Sequence, residues 1–192
     1  MLFRSATAIY VVEERAVGPS LGRENIQKGV TALIVGMAAV FVFMALYYQA
    51  FGLVADLLLL ANVVLLTALL SWMRASLSLP GIAGIILTVG MAVDANVLIY
   101  ERIREELRKG VSPQAAIRAG FDKAFSAIWD SNVTTLIAGV VLWVLGTGPI
   151  KGFAIVLVFG IGTSMFTALM GSRALLSLIY GGRRKIGRLA IG

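Results

Sequence analysis

An acidic residue lies in the middle of an apolar segment that is long enough to cross a membrane. Asp94 is the only charged residue between Gly81 and Tyr100. At 1.5 Å per helical residue, Asp94 lies about 20 Å along the helix axis from Gly81, inside the hydrocarbon region. A carboxylate costs about 2.5–3.5 kcal/mol there, so we expect a bound proton or a cation to neutralise it. A carboxyl group that alternates between these states is a proton carrier, whereas the alternative is a structural aspartate hydrogen-bonded within a helix bundle.

Small and polar residues of three segments are expected to surround this buried aspartate. Gly90 lies one turn before Asp94 on the same helix face, where the missing side chain lets another helix approach closely. Hydroxyl and amide side chains are expected to bond between helices, and a small-residue stripe in the last apolar segment predicts a packing face. For each of these residues the alternative is a role in helix packing alone. The residues are Thr88, Asn96, Asn132, Thr134, Thr135, Gly160, Ser164 and Ala168.

The elements that position these residues are five apolar stretches. They span about residues 29–48, 53–72, 81–100, 128–145 and 153–180, and a helical crossing needs about 20 such residues. The 192-residue chain is 59% hydrophobic and 14% charged, which is roughly half the charge of a soluble domain. We therefore predict an all-α membrane protein, a transmembrane bundle of five helices over residues 29–180.

The absence of cysteine and histidine excludes several classes of site. Disulfides, thiol nucleophiles, the usual zinc ligands and serine–histidine hydrolase chemistry all need one of these residue types. We expect no metal, no cofactor and no enzymatic activity.

The net charge of +7 predicts topology rather than nucleic-acid binding, because basic residues collect on the cytoplasmic side of membrane proteins. Six basic residues lie between the third and fourth stretches and five follow the core of the fifth, whereas the opposite short loops contain only Arg74 and Lys151. We therefore place residues 101–131 and the basic tail 181–192 in the cytoplasm, and the N-terminus outside. Residues 1–28, with a predicted strand at Ala8–Val12, are interpreted as the tail of a missing extracytoplasmic domain, so we expect the chain to be a fragment.

The cytoplasmic segment 101–131 is predicted to contain two helical parts. The first extends the third span to Gly110 and is supported by opposite charges three or four residues apart. The second begins at Ser112–Pro113, which is typical of a helix start, and its apolar residues recur at helical spacing. We predict an amphipathic helix lying flat in the headgroup region, or alternatively one packed against a cytoplasmic partner. The expected charge pairs are Glu101/Arg104, Arg102/Glu106 and Glu105/Lys109.

Several motifs, in order along nearly the whole chain, resemble the SecD family of the bacterial Sec translocon. They are EER at 13–15, VGPSLG at 17–22, LPGIAG at 79–84, GMAVDANVLI at 90–99, ERIREE at 101–106, NVTTLI at 132–137 and GTGPIKGFA at 146–154.

The resemblance implies a fold similar to half of a resistance-nodulation-division exporter, and a function in protein export from the cell inner membrane. SecD-like proteins pair with SecF, act with the SecYEG channel and other Sec accessory subunits, and use the proton gradient to help move a secreted preprotein after SecA has pushed it. The family's proton-conducting aspartate maps onto Asp94, and SecF would supply the charges facing it. Relative to the family, we expect the first membrane helix and the large periplasmic domain to be missing from this chain. It also has Asp56 where an uncharged polar residue is expected, and Ser131 where alanine is expected.

Two other functions share some of these features. Half of a proton-driven small-molecule exporter would have the same buried aspartate and packing glycines. An intramembrane aspartyl protease would pair Asp56 with Asp94, since two close carboxyl groups can share a proton. We expect Asp56 near the cytoplasmic start of its helix, where it meets the helix dipole and water, so the two carboxyl groups should lie at different depths.

Overall fold

The described part of the chain is helical. The structure is a computed structural model that describes residues 19–75, 78–180 and 191, with side chains from residue 23 onward. The predicted strand at Ala8–Val12 and nearly all of the basic tail at 181–192 lie outside the described residues. The elements are α1 (Pro19–Trp72), α2 (Leu79–Arg108), α3 (Pro113–Leu145), α4 (Pro149–Met165), a π-helical segment (Phe166–Gly171) and α5 (Ser172–Tyr180).

Helix α1 consists of two arms that meet at Gln49, where the backbone is not helical (φ 50°, ψ −120°). Met37 of the first arm and Val63 of the second belong to one hydrophobic cluster, although a continuous helix would place them about 40 Å apart. The chain therefore folds back at Gln49. Gly52 makes the tight reversal possible, because a Cβ at that position would collide with the carbonyl oxygen of Met44. The two arms contain the predicted stretches 29–48 and 53–72.

Helix α2 begins and ends at recognisable signals. The Oγ of Ser78 accepts a hydrogen bond from the Gly81 N–H at 3.4 Å, and Pro80 occupies the first turn, where its missing N–H costs nothing. The helix continues past residue 100 to Arg108, as the charge pattern predicts, and Gly110 follows with a φ of 81°.

Helix α3 corrects one prediction. Pro113–Leu145 is a single helix of 33 residues, so a separate amphipathic helix lying flat on the membrane is wrong for this segment. Its apolar side packs on the extension of α2 instead, where Phe121, Ala124 and Ile128 are buried. The two helices approach closely, because a Cβ at Gly120 would lie 2.9 Å from the backbone nitrogen of Ile103.

An ion-pair cluster joins the charged end of α2 to α3. Glu106, whose side chain is 8% exposed, pairs with Lys123 at 2.7 Å and with Lys109 at 2.9 Å. These two lysines hold the pKa of Glu106 below its usual range. The predicted pair of Arg102 with Glu106 is wrong, since Arg102 binds Glu105 at 2.8 Å.

The two other predicted pairs of this segment are present. Arg104 lies 2.9 Å from Glu101, and Lys109 lies 2.8 Å from Glu105.

Apolar side chains cover the outside of the bundle as well as its core. Within the described residues, four helices are long and apolar enough to cross a membrane, counting the two arms of α1 as one and Pro149–Tyr180 as another. Leu46, Val64 and Val144 are 77%, 68% and 73% exposed. An apolar outer surface is stable in lipid. A helix can cross lipid because its backbone N–H and C=O groups form their hydrogen bonds within the helix.

Candidate functional site

Asp94 lies on the outer surface of α2. Its side chain is exposed, so the prediction that it is buried within this chain is wrong for the described residues. Leu87 on the same face is 47% exposed, and a Cβ at Gly90 would meet no atom within 4 Å. Asp94 is exposed because of the orientation of α2 about its own axis: the opposite face of α2 carries the residues that pack against the other helices. These are side chains such as Thr88, Ala92 and Asn96, which are at most 3% exposed.

The small-residue stripe lies where α2 crosses α4. A Cβ at Gly160 would lie 2.9 Å from the Cβ of Thr88, and closer still to its Oγ1 and Cγ2. Thr88 satisfies its own hydroxyl by donating to the Gly84 carbonyl at 2.8 Å. Ser164 and Ala168 are 2% and 0% exposed. Gly160 of the stripe therefore packs α4 against α2 on the face of α2 opposite to the exposed Asp94 carboxyl.

Among the described residues, the three polar side chains at the start of the fourth predicted stretch bond within their own helix and not to another one. Asn132, Thr134 and Thr135 each donate to the carbonyl four residues earlier in α3, at 2.7, 3.0 and 3.0 Å. The expectation of bonds between helices is therefore not met by these donors. The reason is local, since short polar side chains in a helix can satisfy themselves on the preceding turn.

A buried polar contact joins α2 to α5. Ser172 donates to Asn96 Oδ1 at 2.7 Å, and Asn96 Nδ2 donates to the Ala92 carbonyl at 3.0 Å. Asn96 was expected near Asp94, but it points to the interior of the bundle. Ser172 was not predicted, because a serine next to an arginine at the end of an apolar run has no distinctive signal.

The π-helical segment immediately precedes Ser172. Its wider turn displaces backbone carbonyls from their usual partners. The Thr167 hydroxyl contacts two of them, the carbonyls of Thr163 and Ser164, at 3.0 and 3.1 Å. Thr167 is 4% exposed, so the irregular turn is satisfied inside the protein.

Two polar side chains of the second arm of α1 have enclosed atoms without a hydrogen-bond partner in the described residues. Within the described residues, Asp56 Oδ1 is enclosed and has no hydrogen-bond partner, and both amide atoms of Asn62 lack one. Asn62 is 1% exposed. The expectation that Asp56 meets water at the helix start is wrong for this oxygen, because position along the helix predicts depth but not which side faces inward.

An aromatic and charged cluster closes the end of the bundle near Gln49. The Tyr48 hydroxyl donates to Glu101 at 3.0 Å, and the Arg104 guanidinium lies 4.9 Å from the ring centre of Tyr47. No group of three acidic side chains that could hold a metal ion occurs in the described ranges.

Comparison with known proteins identifies the family. A family described as "Protein export membrane protein SecD/SecF, C-terminal" matches residues 1–181. The protein translocase subunit SecD of Pseudomonas aeruginosa is 55% identical over 178 residues, which is 93% of this chain and 29% of that protein. The SecD subunit of Desulfurispirillum indicum is 57% identical over 169 residues, covering 88% of this chain and 33% of its own length.

A solved structure agrees with these relatives. The crystal structure of SecDF from Thermus thermophilus has a TM-score of 0.80 and 42% identity, covering 88% of this chain and 24% of that chain. This chain spans a third or less of the length of these proteins. The sequence match and the fold agree, and the chain belongs to the SecD/SecF family of protein export membrane proteins.

Proposed function

We propose that this chain is the membrane part of a Sec export subunit in which proton binding and release at Asp94 drive late preprotein translocation. One elementary charge moved through 100 mV is worth about 2.3 kcal/mol, so a few protons supply enough free energy for a conformational step. The preprotein itself would be held by parts of the protein beyond this membrane bundle.

The observation that carries the proposal is the uncovered face of α2. Asp94 and Gly90 share a face that no other helix of the described chain covers. A carboxyl group exposed to hydrocarbon is costly, whereas one at a contact between helices can be neutralised there. The missing side chain at Gly90 leaves room for a partner helix to approach within reach of Asp94.

The partner that fits this face of α2 is SecF, which would contribute a second and similar bundle with charged groups that face Asp94. In this arrangement the chain is one half of an assembly similar to a resistance-nodulation-division exporter, and it works beside the SecYEG channel and other Sec accessory subunits. The family match favours protein export over transport of small molecules.

The proposed topology has five crossings, one for each arm of α1 and one each for α2, α3 and Pro149–Tyr180. The N-terminus is outside and the C-terminus is in the cytoplasm of an inner membrane. The clustering of basic residues between α2 and α3 supports this orientation.

The protease alternative gains no support. A catalytic pair of aspartates must lie within hydrogen-bonding reach of one another. Asp56 Oδ1 is enclosed without a partner in the described residues, whereas the side chain of Asp94 is exposed on the outer face of α2.

The test is Asp94→Asn in the complete protein assembled with its partner subunits. The amide has nearly the same shape but binds no proton at physiological pH, so we expect loss of the stimulation of export by a proton gradient. Membrane insertion and ATP-driven export without a gradient should remain. Preprotein uptake into inverted vesicles, with and without a gradient, measures both quantities.

A matched control is Asp130→Asn, which makes the same chemical change at an exposed residue of α3. This variant should respond to the gradient like the unmodified protein. Full gradient stimulation in Asp94→Asn would refute the proton-carrier role.

A further inference from the structure

A cleft on the outer side of the bundle separates the second arm of α1 from α4. Its volume is about 400 Å³, and apart from the Thr163 hydroxyl its lining is apolar. It extends along about two turns of α4, from Val158 to the start of the π-helical segment at Phe166. Because Phe166 is 55% exposed, the cleft opens at the surface of the bundle, and the two helices stand apart along its length. The residues that line it also include Leu65, Leu69 and Phe159.

Asn62 lies one turn beyond this cleft on the second arm of α1. It precedes Leu65 by three residues and Leu69 by seven, so the three side chains share one face of the helix. Leu58, one turn further on, reaches the end of the π-helical segment, since a Cβ at Gly171 would lie 2.6 Å from its Cδ2. Asn62 therefore faces the part of the chain between the cleft and Gly171.

The amide of Asn62 is buried without hydrogen bonds. The residue is 1% exposed, and neither amide atom has a partner within the described residues. An amide group offers two donors and an acceptor. In a bundle surrounded by lipid, these groups keep their full desolvation cost until a protein group bonds them. A conformation in which the amide is bonded is therefore favoured at this point over the one seen here.

Thr163 offers the missing acceptor. It is 6% exposed and is the polar residue that lines the cleft. Its hydroxyl donates to the Gly160 carbonyl at 3.1 Å, and the same oxygen still has lone pairs that can accept a hydrogen bond. Closing the cleft would bring this oxygen toward Asn62.

The π-helical segment supplies a pivot for such a movement. It follows the cleft directly, and the Ser172 N–H donates to the Thr167 carbonyl, five residues earlier instead of four. Helices bend at turns of this kind. The Thr167 hydroxyl has one proton but lies within 3.1 Å of two carbonyl oxygens, so it can bond either one as the turn adjusts. α4 can thus tilt while α5 stays bonded to α2 through Ser172 and Asn96.

We propose that the second arm of α1 and α4 form a latch that is open in this structure. It closes when α4 pivots at the π-helical segment, and a hydrogen bond from Asn62 Nδ2 to Thr163 Oγ1 holds it closed. Closing fills the cleft with the side chains of its own walls and bonds the buried amide. The latch does not depend on the role proposed for Asp94.

Spin labels on the two walls of the cleft test the latch. The chain contains no cysteine, so nitroxides attach only at Leu69→Cys and Val158→Cys, and their dipolar broadening in lipid vesicles measures the separation of the walls. We expect two separations in this labelled background. Adding Asn62→Leu removes the donor and should abolish the shorter separation. A single separation in the background, or the persistence of both in Asn62→Leu, overturns the proposal.

The matched control is Asn132→Leu. It removes an amide that is bonded inside its own helix, to the Ile128 carbonyl at 2.7 Å, so both separations should remain. If this variant also lost the shorter separation, the effect would not be specific to Asn62 and the latch would be refuted.

Two further variants address the acceptor and the pivot. Thr163→Val keeps the shape of the side chain but removes the hydroxyl, and it should lose the shorter separation as well. It also replaces Asn62→Leu if that variant does not fold, and both separations in Thr163→Val would refute the latch. Deleting Met170 shortens the π-helical segment by one residue, which restores α-helical bonding. The shorter separation should then be lost, and its persistence would exclude the pivot.

Discussion

The crossing of α2 and α4 offers a direct test of the packing, through the substitution Gly160→Ala. A Cβ on residue 160 would lie 2.9 Å from the Cβ of Thr88 and closer still to its Oγ1 and Cγ2. Carbon atoms pack best at about 3.5–4.0 Å, so the two helices would have to separate by about 1 Å at this point. The side chain of Thr88 resists rotation, because its hydroxyl donates to the Gly84 carbonyl at 2.8 Å.

The expected magnitude follows from opposing contributions. Overpacking costs about 1–3 kcal/mol, and breaking the Thr88 hydrogen bond would cost about 0.5–1.5 kcal/mol. Replacing a helical glycine by alanine returns about 0.5–1 kcal/mol. The midpoints of these ranges combine to a net loss, so we expect Gly160→Ala to lower the free energy of unfolding by about 2 kcal/mol.

Unfolding in mixed micelles, followed by the loss of helical circular dichroism, measures this free energy. The matched control is Gly162→Ala, two residues away, where a Cβ would meet no atom within 4 Å and the expected change is zero or a small gain. Adding Thr88→Ala to Gly160→Ala removes two of the three clashing atoms and should recover part of the loss. Equal stability of Gly160→Ala and Gly162→Ala would show that the close approach of the helices does not exist.

Two other predictions concern the charged end of α2 and the topology. The pKa of Glu106 is depressed by its lysine partners, so the stabilisation is present at neutral pH and is lost as the pH falls through the folded-state pKa. Glu106→Gln should therefore lower the melting temperature at neutral pH, and by progressively less as the pH falls. The control Glu24→Gln, which breaks an exposed pair, should change the melting temperature little. Equal effects of the two variants at neutral pH would contradict the ion-pair cluster. The chain lacks cysteine, so single cysteines can be introduced at Ser112 and Thr147, which flank α3. They should react with a membrane-impermeant thiol reagent from opposite sides of the membrane. Reaction from the same side would exclude a crossing by α3.

Much of the fold was predictable, because apolar runs of membrane length have few alternatives. The extension of α2 to Arg108 followed from charges three or four residues apart, and its end followed from Gly110. The continuity of α3 was harder to predict, since the amphipathic pattern of its first part is the same for a helix on a membrane surface and one packed on another helix. The sequence contains no comparable signal for the π-helical segment Phe166–Gly171, which depends on a hydroxyl reaching two carbonyls.

The candidate site was predictable in its residues but not in its orientation. A lone aspartate in an apolar run marks Asp94, yet the sequence did not show that the bundle leaves this face open. Asp56 and Asn96 illustrate the same difficulty, because spacing along a helix gives depth, whereas the neighbours that decide burial come from distant parts of the chain. Gly160 was predicted as a packing residue, but its partner Thr88 emerged only from the crossing of the two helices.

The length of α3 has a mechanical consequence. Its 33 residues measure about 50 Å, whereas the hydrocarbon core is about 30 Å thick. Because the helix is continuous, a change of its tilt inside the bilayer would displace the end that projects into water. The salt bridge from Lys123 to Glu106 joins that end to α2, so a displacement of one projecting end would be transmitted to the other.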